Sequence, residues 1–295
     1  MATPIFVMGK HRSGTKWLSN ILSNHPDVAS VQRDGADGIL EADVLLTYPQ
    51  IFGDLGQDEN YCAMAAAFSR SNFFVCTGLD EAVLFSAKIE GYCAFFRHVM
   101  DAFAAKENKQ YWLQKSNSVV FPMLHAAFPD AKFIVIERDM VDNIRSSIGL
   151  ARMHGQREAS LAKEVGLYQL SRRTMQRYLN KSNVLHVTYE DLRADREQLT
   201  RRICGFLGLP FAEVLLTDRY AKNTSFRDST KRDEALSAFD IARIRAFGLL
   251  FRALPFPVLR ALRARFGRAK DDRRSRFISK SYLILRKQYG WGEEE

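Results

Sequence analysis

Short hydrophobic runs alternate along this chain with longer segments whose apolar residues recur at helical spacing. The runs predict strands at 4–8, 28–32, 111–114, 132–137 and 183–188, and the periodic segments predict helices at 16–24, 118–127, 140–152, 158–180 and 195–207. An irregular acidic stretch leads to residue 43, and 44–108 reads as helical material interrupted by turns. Strands alternating with helices argue for an α/β fold with a mostly parallel central sheet covered on both faces. Internal repeats and low-complexity tracts are not evident.

The first of these units carries the most chemistry. Residues 4–17, PIFVMGKHRSGTKW, deliver a strand into a turn bounded by Gly9 and Gly14 and then into a helix with Trp17, Leu18, Ile21 and Leu22 on one face. A helix start aims unpaired backbone N–H groups at whatever the turn encloses, which favours an anion. The nucleotide-triphosphate loop, G-x-x-x-x-G-K followed by Ser or Thr, fails here by one residue: Thr15 holds the lysine position and Lys16 the hydroxyl position. No lone acid follows an apolar strand to hold Mg²⁺ either, because Ile134-Val135-Ile136 runs into Glu137-Arg138. The pattern is one of anion binding with no metal expected.

The second unit, DAKFIVIERDMVDNIRSS at 130–147, sets Arg138 at the C-terminal edge of a buried strand and Ser146 about two helical turns further on, where ligands of open α/β sheets collect. The two can share one phosphate only if the chain folds back between them, and Ser147 competes with Ser146. A surface cluster of Glu137, Arg138, Asp139 and Asp142 is the plainer alternative.

Together these motifs resemble the sulfotransferases that use 3′-phosphoadenosine 5′-phosphosulfate (PAPS). Arg12-Ser13-Gly14-Thr15-Lys16-Trp17-Leu18 is similar to that family's 5′-phosphosulfate loop, in which a basic residue precedes a small hydroxyl residue, glycine and two more small hydroxyl residues. Arg138 and Ser146 match its 3′-phosphate motif. Val184 to Leu192 resembles its strand-plus-YEDL segment, which precedes a helix ending here in Phe206-Leu207-Gly208-Leu209-Pro210. Lys115-Ser116 and Asn223-Thr224-Ser225 complete matches that run in family order across 4–230.

The resemblance implies a P-loop-like sulfotransferase fold and transfer of a sulfuryl group from PAPS to a hydroxyl or amine, leaving adenosine 3′,5′-bisphosphate. It assigns Arg12 and Lys115 to the transferring group. Ser13, Gly14, Thr15 and Lys16 go with Arg12 to the phosphosulfate, Arg138 and Ser146 to the 3′-phosphate, and Trp17 and Tyr189 to the adenine. Asn223, Thr224 and Ser225 join the cofactor site. Lys16 departs from the family's small hydroxyl residue. Where cytosolic relatives have a histidine base this chain has Asn117, which takes no proton at neutral pH. Another branch takes a Glu from the segment after the second strand, which makes Glu41 the candidate base. Asp34, Asp37 and Asp43 are its competitors, and His11 and His125 read as structural. A divergent small-molecule or nucleoside kinase, or a non-catalytic nucleotide-binding relative, is the alternative.

Composition agrees with one enzyme domain over 1–295: a core to 230, a helical acceptor-side insertion at 44–108, and a basic helical extension at 236–295. Aromatic residues crowd 44–108 and either line or support the acceptor side, which would suit an apolar or lipid-like acceptor. Cys62, Cys76, Cys93 and Cys204 have no metal-ligand or disulfide spacing and read as buried thiols. The chain enters its first strand within a few residues, and no uninterrupted apolar run of about twenty follows, so a cytoplasmic location is expected.

The charge is lopsided. Residues 241–295 hold fourteen Lys and Arg against five Asp and Glu, a net +9 that equals the charge of the whole chain. Within them Phe247–Arg268 interleaves Phe, Leu and Val with Arg, as a membrane-interface helix would, although Pro255 and Pro257 divide it. A packing element with a solvated basic face is the alternative. Nucleic-acid binding has no reader motif to support it.

Overall fold

Ile5 and Val7 point one way from the first strand, Phe6 and Met8 the other, and all four are fully buried, so this strand must run through the middle of the fold. The computed structural model describes residues 1–33, 38–153, 159–217 and 236–262. In it β1 (Thr3–Gly9), β2 (Val28–Ser30), β3 (Gln32–Arg33), β4 (Gly38–Ile39), β5 (Tyr111–Asn117), β6 (Lys132–Glu137) and β7 (Val184–Thr188) form two sheets. The central one has five parallel strands in the order β2-β5-β1-β6-β7, while β3 and β4 make a small antiparallel pair.

On one face Ile5, Val7, Leu113, Ile134, Ile136 and Val187 pack against α1 (Thr15–Leu22) and, further along the chain, the helix at Arg196–Leu207. The other face carries Phe6, Trp112 and Phe133 under α2 (Tyr48–Phe52), α3 (Asp58–Ser69), α4 (Asn72–Thr77), α5 (Ala82–Phe85), α6 (Tyr92–Lys106) and α7 (Phe121–Ala127). Here the aromatics of 44–108 become core: Phe68, Phe95 and Phe96 are no more than 1% exposed, and Phe6 meets Trp112 edge-on at 5.4 Å. Phe85, at 47% exposed, stands apart from them. A third cluster joins α8 (Met140–Met153), α9 (Leu161–Gln176) and α12 (Ala238–Ala253), with α10 (Tyr189–Ala194) and α11 (Arg196–Leu207) between α9 and α12 in chain order.

Several expected boundaries move. Strand 111–114 extends to Asn117 because Lys115, Ser116 and Asn117 pair with Val7, Met8 and Gly9, so polar side chains continue a ladder that β1 imposes. Strand 28–32 stops at Ser30, and Gln32–Arg33 turns to pair with Gly38–Ile39. The helix α10 was not expected. Thr188 starts it by accepting the Asp191 N–H at 3.0 Å, with Glu190 and Asp191 in the first turn. Cys62 is exposed and not a buried thiol, since α3 turns it outward, whereas burial pushes the Cys93 thiol up to about 11.

Candidate active site

The loop after β1 is shaped by two glycines for different reasons. A Cβ on Gly9 would lie 2.7 Å from Thr15 Cγ2 and 2.8 Å from the Ile136 carbonyl oxygen, so this position needs room where loop and strand press together. Gly14 has φ 91° and its added Cβ would meet Tyr189 Cδ2 at 2.5 Å, so it needs both conformational freedom and room. Between them Arg12 also sits in the left-handed region, at φ 71°; for a non-glycine residue this costs on the order of 1 kcal/mol. The Ser13 N–H closes the turn onto the Lys10 carbonyl at 3.1 Å. α1 then begins with no side-chain cap and no acid in its first turn, which directs the positive end of the helix at the loop interior.

Distant elements meet on this loop. Arg12 Nε donates to Ser146 Oγ at 3.1 Å, and Arg138 Nη1 donates to the Arg12 carbonyl at 3.2 Å. The chain therefore does fold back, and Ser146 is the buried serine that reaches Arg12 while Ser147 is only half-buried. Arg138 stacks over the Tyr189 ring at 4.3 Å, and Trp17 meets the same ring edge-on at 5.7 Å. Arg138 turns to the loop, while of its acidic neighbours Asp142 pairs with Arg145, and Glu137 with Arg172 at 2.7 Å. Burial would push the Glu137 carboxyl up, but His186, Arg172 and Tyr168 outweigh it and hold it below the usual carboxylate range.

Sequence reasoning missed the brace beneath. Asn143 is fully buried; its Nδ2 donates to the His11 carbonyl at 3.1 Å and to Ser13 Oγ at 3.0 Å, and its Oδ1 accepts from Lys10 Nζ at 2.9 Å. Lys10 reaches Glu164 of α9 at 3.4 Å. Burial lowers the Lys10 pKa against the opposing pull of Glu164. One signal was available: Asn143 lies three residues before Ser146, hence on the same helix face.

Positive charge dominates the enclosed space. Burial, then the nearby Arg138, weighs against the Arg12 cation and lowers its pKa. His11 keeps an exposed face, yet its pKa is lowered to about 4, first by lost hydration of the ring and then by Arg12, Lys115 and Lys10, with Glu41 pulling the other way. Cations crowded in this manner are relieved when an anion binds among them.

On the other side of β1, the end of β5 places Lys115 in an ion pair with Glu41. The lysine side chain is 11% exposed and the glutamate 58%, so Glu41 stands at the rim. The Asn117 side chain is engaged as a cap, its Oδ1 accepting the Val119 N–H at 3.1 Å. His125 is packed between Phe121, Phe133 and Tyr178. Lys16 is half-buried at the start of α1. Asn223, Thr224, Ser225, Asp34 and Asp37 lie outside the described residues.

A model of the Sulfotransferase family matches residues 4–213, which include the loop, Lys115, Arg138, Ser146 and Tyr189. The chain belongs to the sulfotransferase family. Among solved structures this sulfotransferase is similar to the sulfotransferase domain from the curacin biosynthetic pathway, with 18% identity and a TM-score of 0.54 over 86% of this chain and 99% of that one. It is also similar to the sulfotransferase domain from the olefin synthase of Synechococcus PCC 7002, with 20% identity and a TM-score of 0.52 over 86% of this chain and 96% of that one. At such identities the likeness is one of fold. No curated protein sequence matches the chain. Among the described residues of this sulfotransferase, no group of three or more His, Cys, Asp or Glu is placed to hold a metal ion, and no helix is long and apolar enough to cross a membrane.

Proposed function

We propose that this sulfotransferase moves a sulfuryl group from PAPS to a hydroxyl or amine of its acceptor. The observation that carries this reading is the convergence of Arg12, Ser146 and Arg138 on one loop in front of an uncapped helix start. The donor set fits a polyanion: guanidiniums from two strand ends, the Lys115 ammonium and backbone N–H groups face a region whose acid, Glu41, stands at the rim.

In this reading Arg12 and the N–H groups of Ser13, Gly14, Thr15 and Lys16 hold the 5′-phosphosulfate, and Arg138 with Ser146 holds the 3′-phosphate. Trp17 and Tyr189 flank the adenine, and the family resemblance adds Asn223, Thr224 and Ser225. PAPS, when bound, supplies the sulfuryl group and leaves as adenosine 3′,5′-bisphosphate. The Glu41 carboxylate takes the proton of the acceptor hydroxyl, and Lys115 Nζ both orients that carboxylate and adds positive charge where negative charge develops. Asn143 and Glu164 act through Lys10 and Ser13 to position the loop.

Calorimetric titration with adenosine 3′,5′-bisphosphate in EDTA, compared with Mg·ATP, tests the reading. Metal-independent binding of the bisphosphate is expected, and a preference for Mg·ATP would make the loop that of a kinase. Arg138→Ala should weaken the bisphosphate by at least about tenfold, the loss of a charged hydrogen bond, and far more than it weakens adenosine 5′-phosphosulfate, which lacks the 3′-phosphate. Equal losses for both would remove Arg138 from the 3′-phosphate.

A further inference from the structure

The helix α12 is apolar on two opposite faces. Ile244, Gly248 and Phe251 turn inward, onto a cluster with Ile148 and Val165, and Gln169 donates to the Gly248 carbonyl at 3.3 Å. Phe247, expected from sequence among the membrane-facing residues, is half-buried in the same cluster. The outward face presents Phe239 and Leu249, each 71% exposed, and Leu250, 56% exposed. Exposed Ala242, Ala246 and Ala253 fill the space between them. At the angular step of an α-helix these six residues fall in one arc of about 100°. Exposed Arg243 borders one edge of the arc, and exposed Arg245 and Arg252 border the other.

Charge decides what this face fits. Residues 236–262 hold four arginines against one acid, Asp240, which is engaged in capping the helix through Ser237 and lies 3.6 Å from Arg243. The following helical turns, 256–262, add exposed Val258 and Arg260. A second copy laid face to face would set arginine edges against arginine edges. Residues 263–295, with ten Lys and Arg against five Asp and Glu, would bring like charge to like. An anionic lipid surface supplies both complements at once, phosphates for the arginine edges and acyl chains for the stripe.

We infer that α12 docks this protein on anionic membrane surfaces, with Phe239, Leu249 and Leu250 entering the boundary between headgroups and acyl chains and Arg245 and Arg252 reaching lipid phosphates. The inference does not depend on the PAPS reading, because none of these residues belongs to the loop site.

The test is cosedimentation of the full chain with vesicles of phosphatidylcholine alone or mixed with phosphatidylglycerol. Binding is expected with the mixed vesicles, falling as salt rises. The double variant Leu249→Asp, Leu250→Asp should lose more than about tenfold in partitioning, because two apolar anchors become anions, with the thermal unfolding midpoint unchanged since both side chains face water. Arg245→Gln with Arg252→Gln should lose about fivefold per charge and flatten the salt dependence. Failure to bind the mixed vesicles overturns the inference. So does binding that both variants retain, which would locate the contact in 263–295, and so does a wild-type dimer that the aspartate variant dissociates, which would assign the face to a second copy.

Discussion

On the β6 side of β1 the site is tied by bonds from several elements, whereas on the β5 side an ion pair joins Lys115 of β5 to Glu41 beyond β4. On the first side Asn143 and Ser146 of α8, Glu164 of α9, Arg138 after β6 and Tyr189 of α10 all hold or press on the five residues of the loop, Lys10 to Gly14. On the second, Lys115 and an exposed Glu41 meet at the rim, and the helical block behind them buries Phe68, Phe73, Phe74, Phe95 and Phe96 in the core. The difference suits the roles proposed for the two sides. A ligand of fixed shape rewards a preorganised cradle, because donors held in place need no reorganisation when charge develops. A group proposed to take the acceptor's proton is placed where an acceptor can reach it, at the rim.

The sharpest way to break this contrast is Arg12→Ala. Arg12 is the cation of the preorganised side that joins loop, α8 and Arg138, and its removal should lower kcat/KM by about a thousandfold, the scale of a lost preorganised donor. A loss below tenfold would make the cradle a structural feature only. Next comes Glu41→Gln, which should lower kcat by about a hundredfold with nucleotide affinity preserved, the signature of a group acting on the proton and not on the cofactor. Unchanged turnover would move the base elsewhere and leave the Lys115 pair as a rim contact.

A third substitution separates the bracing from the chemistry. Asn143→Ala removes a fully buried amide that satisfies three loop groups, and leaves Lys10 and Ser13 short of partners. It should cost about 2 kcal/mol of stability, read from denaturant unfolding, and should weaken nucleotide binding because the loop loses its shape. Lys115→Met should leave stability nearly unchanged, since its partner is exposed and keeps its water. Equal destabilisation by the two would erase the proposed asymmetry.

How legible these two sides were in the sequence differs for the same physical reason. The β1 loop, with Gly9, Arg12 and Gly14, was readable because a turn between a buried strand and a helix is specified locally, by residues a few positions apart. Arg138 and Ser146 were readable as a spaced pair for that reason too. Lys10, Asn143 and Glu164 were not, because a lysine beside a loop, an asparagine in a helix and a glutamate in another helix acquire their meaning only when α8 and α9 are packed against β1. The aromatics of 44–108 announced a packed helical block but not which way its rings pointed, since that depends on which face of the sheet the block covers. Lys115 and Glu41 were named from separate segments, and their pairing came from the ladder that carries β5 on to Asn117.

The smallest expected effect lies where the two sides meet, at His11. In the folded protein the pKa of this histidine is lowered to about 4 from its ordinary 6.5. Between those values the unfolded chain holds a proton that the folded chain does not, so stability is full above the unfolded value and falls as the pH drops towards the folded one. The causes, in order, are lost hydration and the charges of Arg12, Lys115 and Lys10, drawn from both sides of β1. His11→Gln removes the titrating group and should make the drop in unfolding midpoint between about pH 7 and about pH 5 shallower than in the wild type. The change should be modest because the residue keeps an exposed face, where water screens the charge. In Lys115→Met the slope should fall part of the way towards that of His11→Gln, since one of three cations is gone. If His11→Gln retains the wild-type slope, the acid sensitivity belongs to other groups, and the cations on the two sides of β1 do not share an electrostatic environment at this histidine.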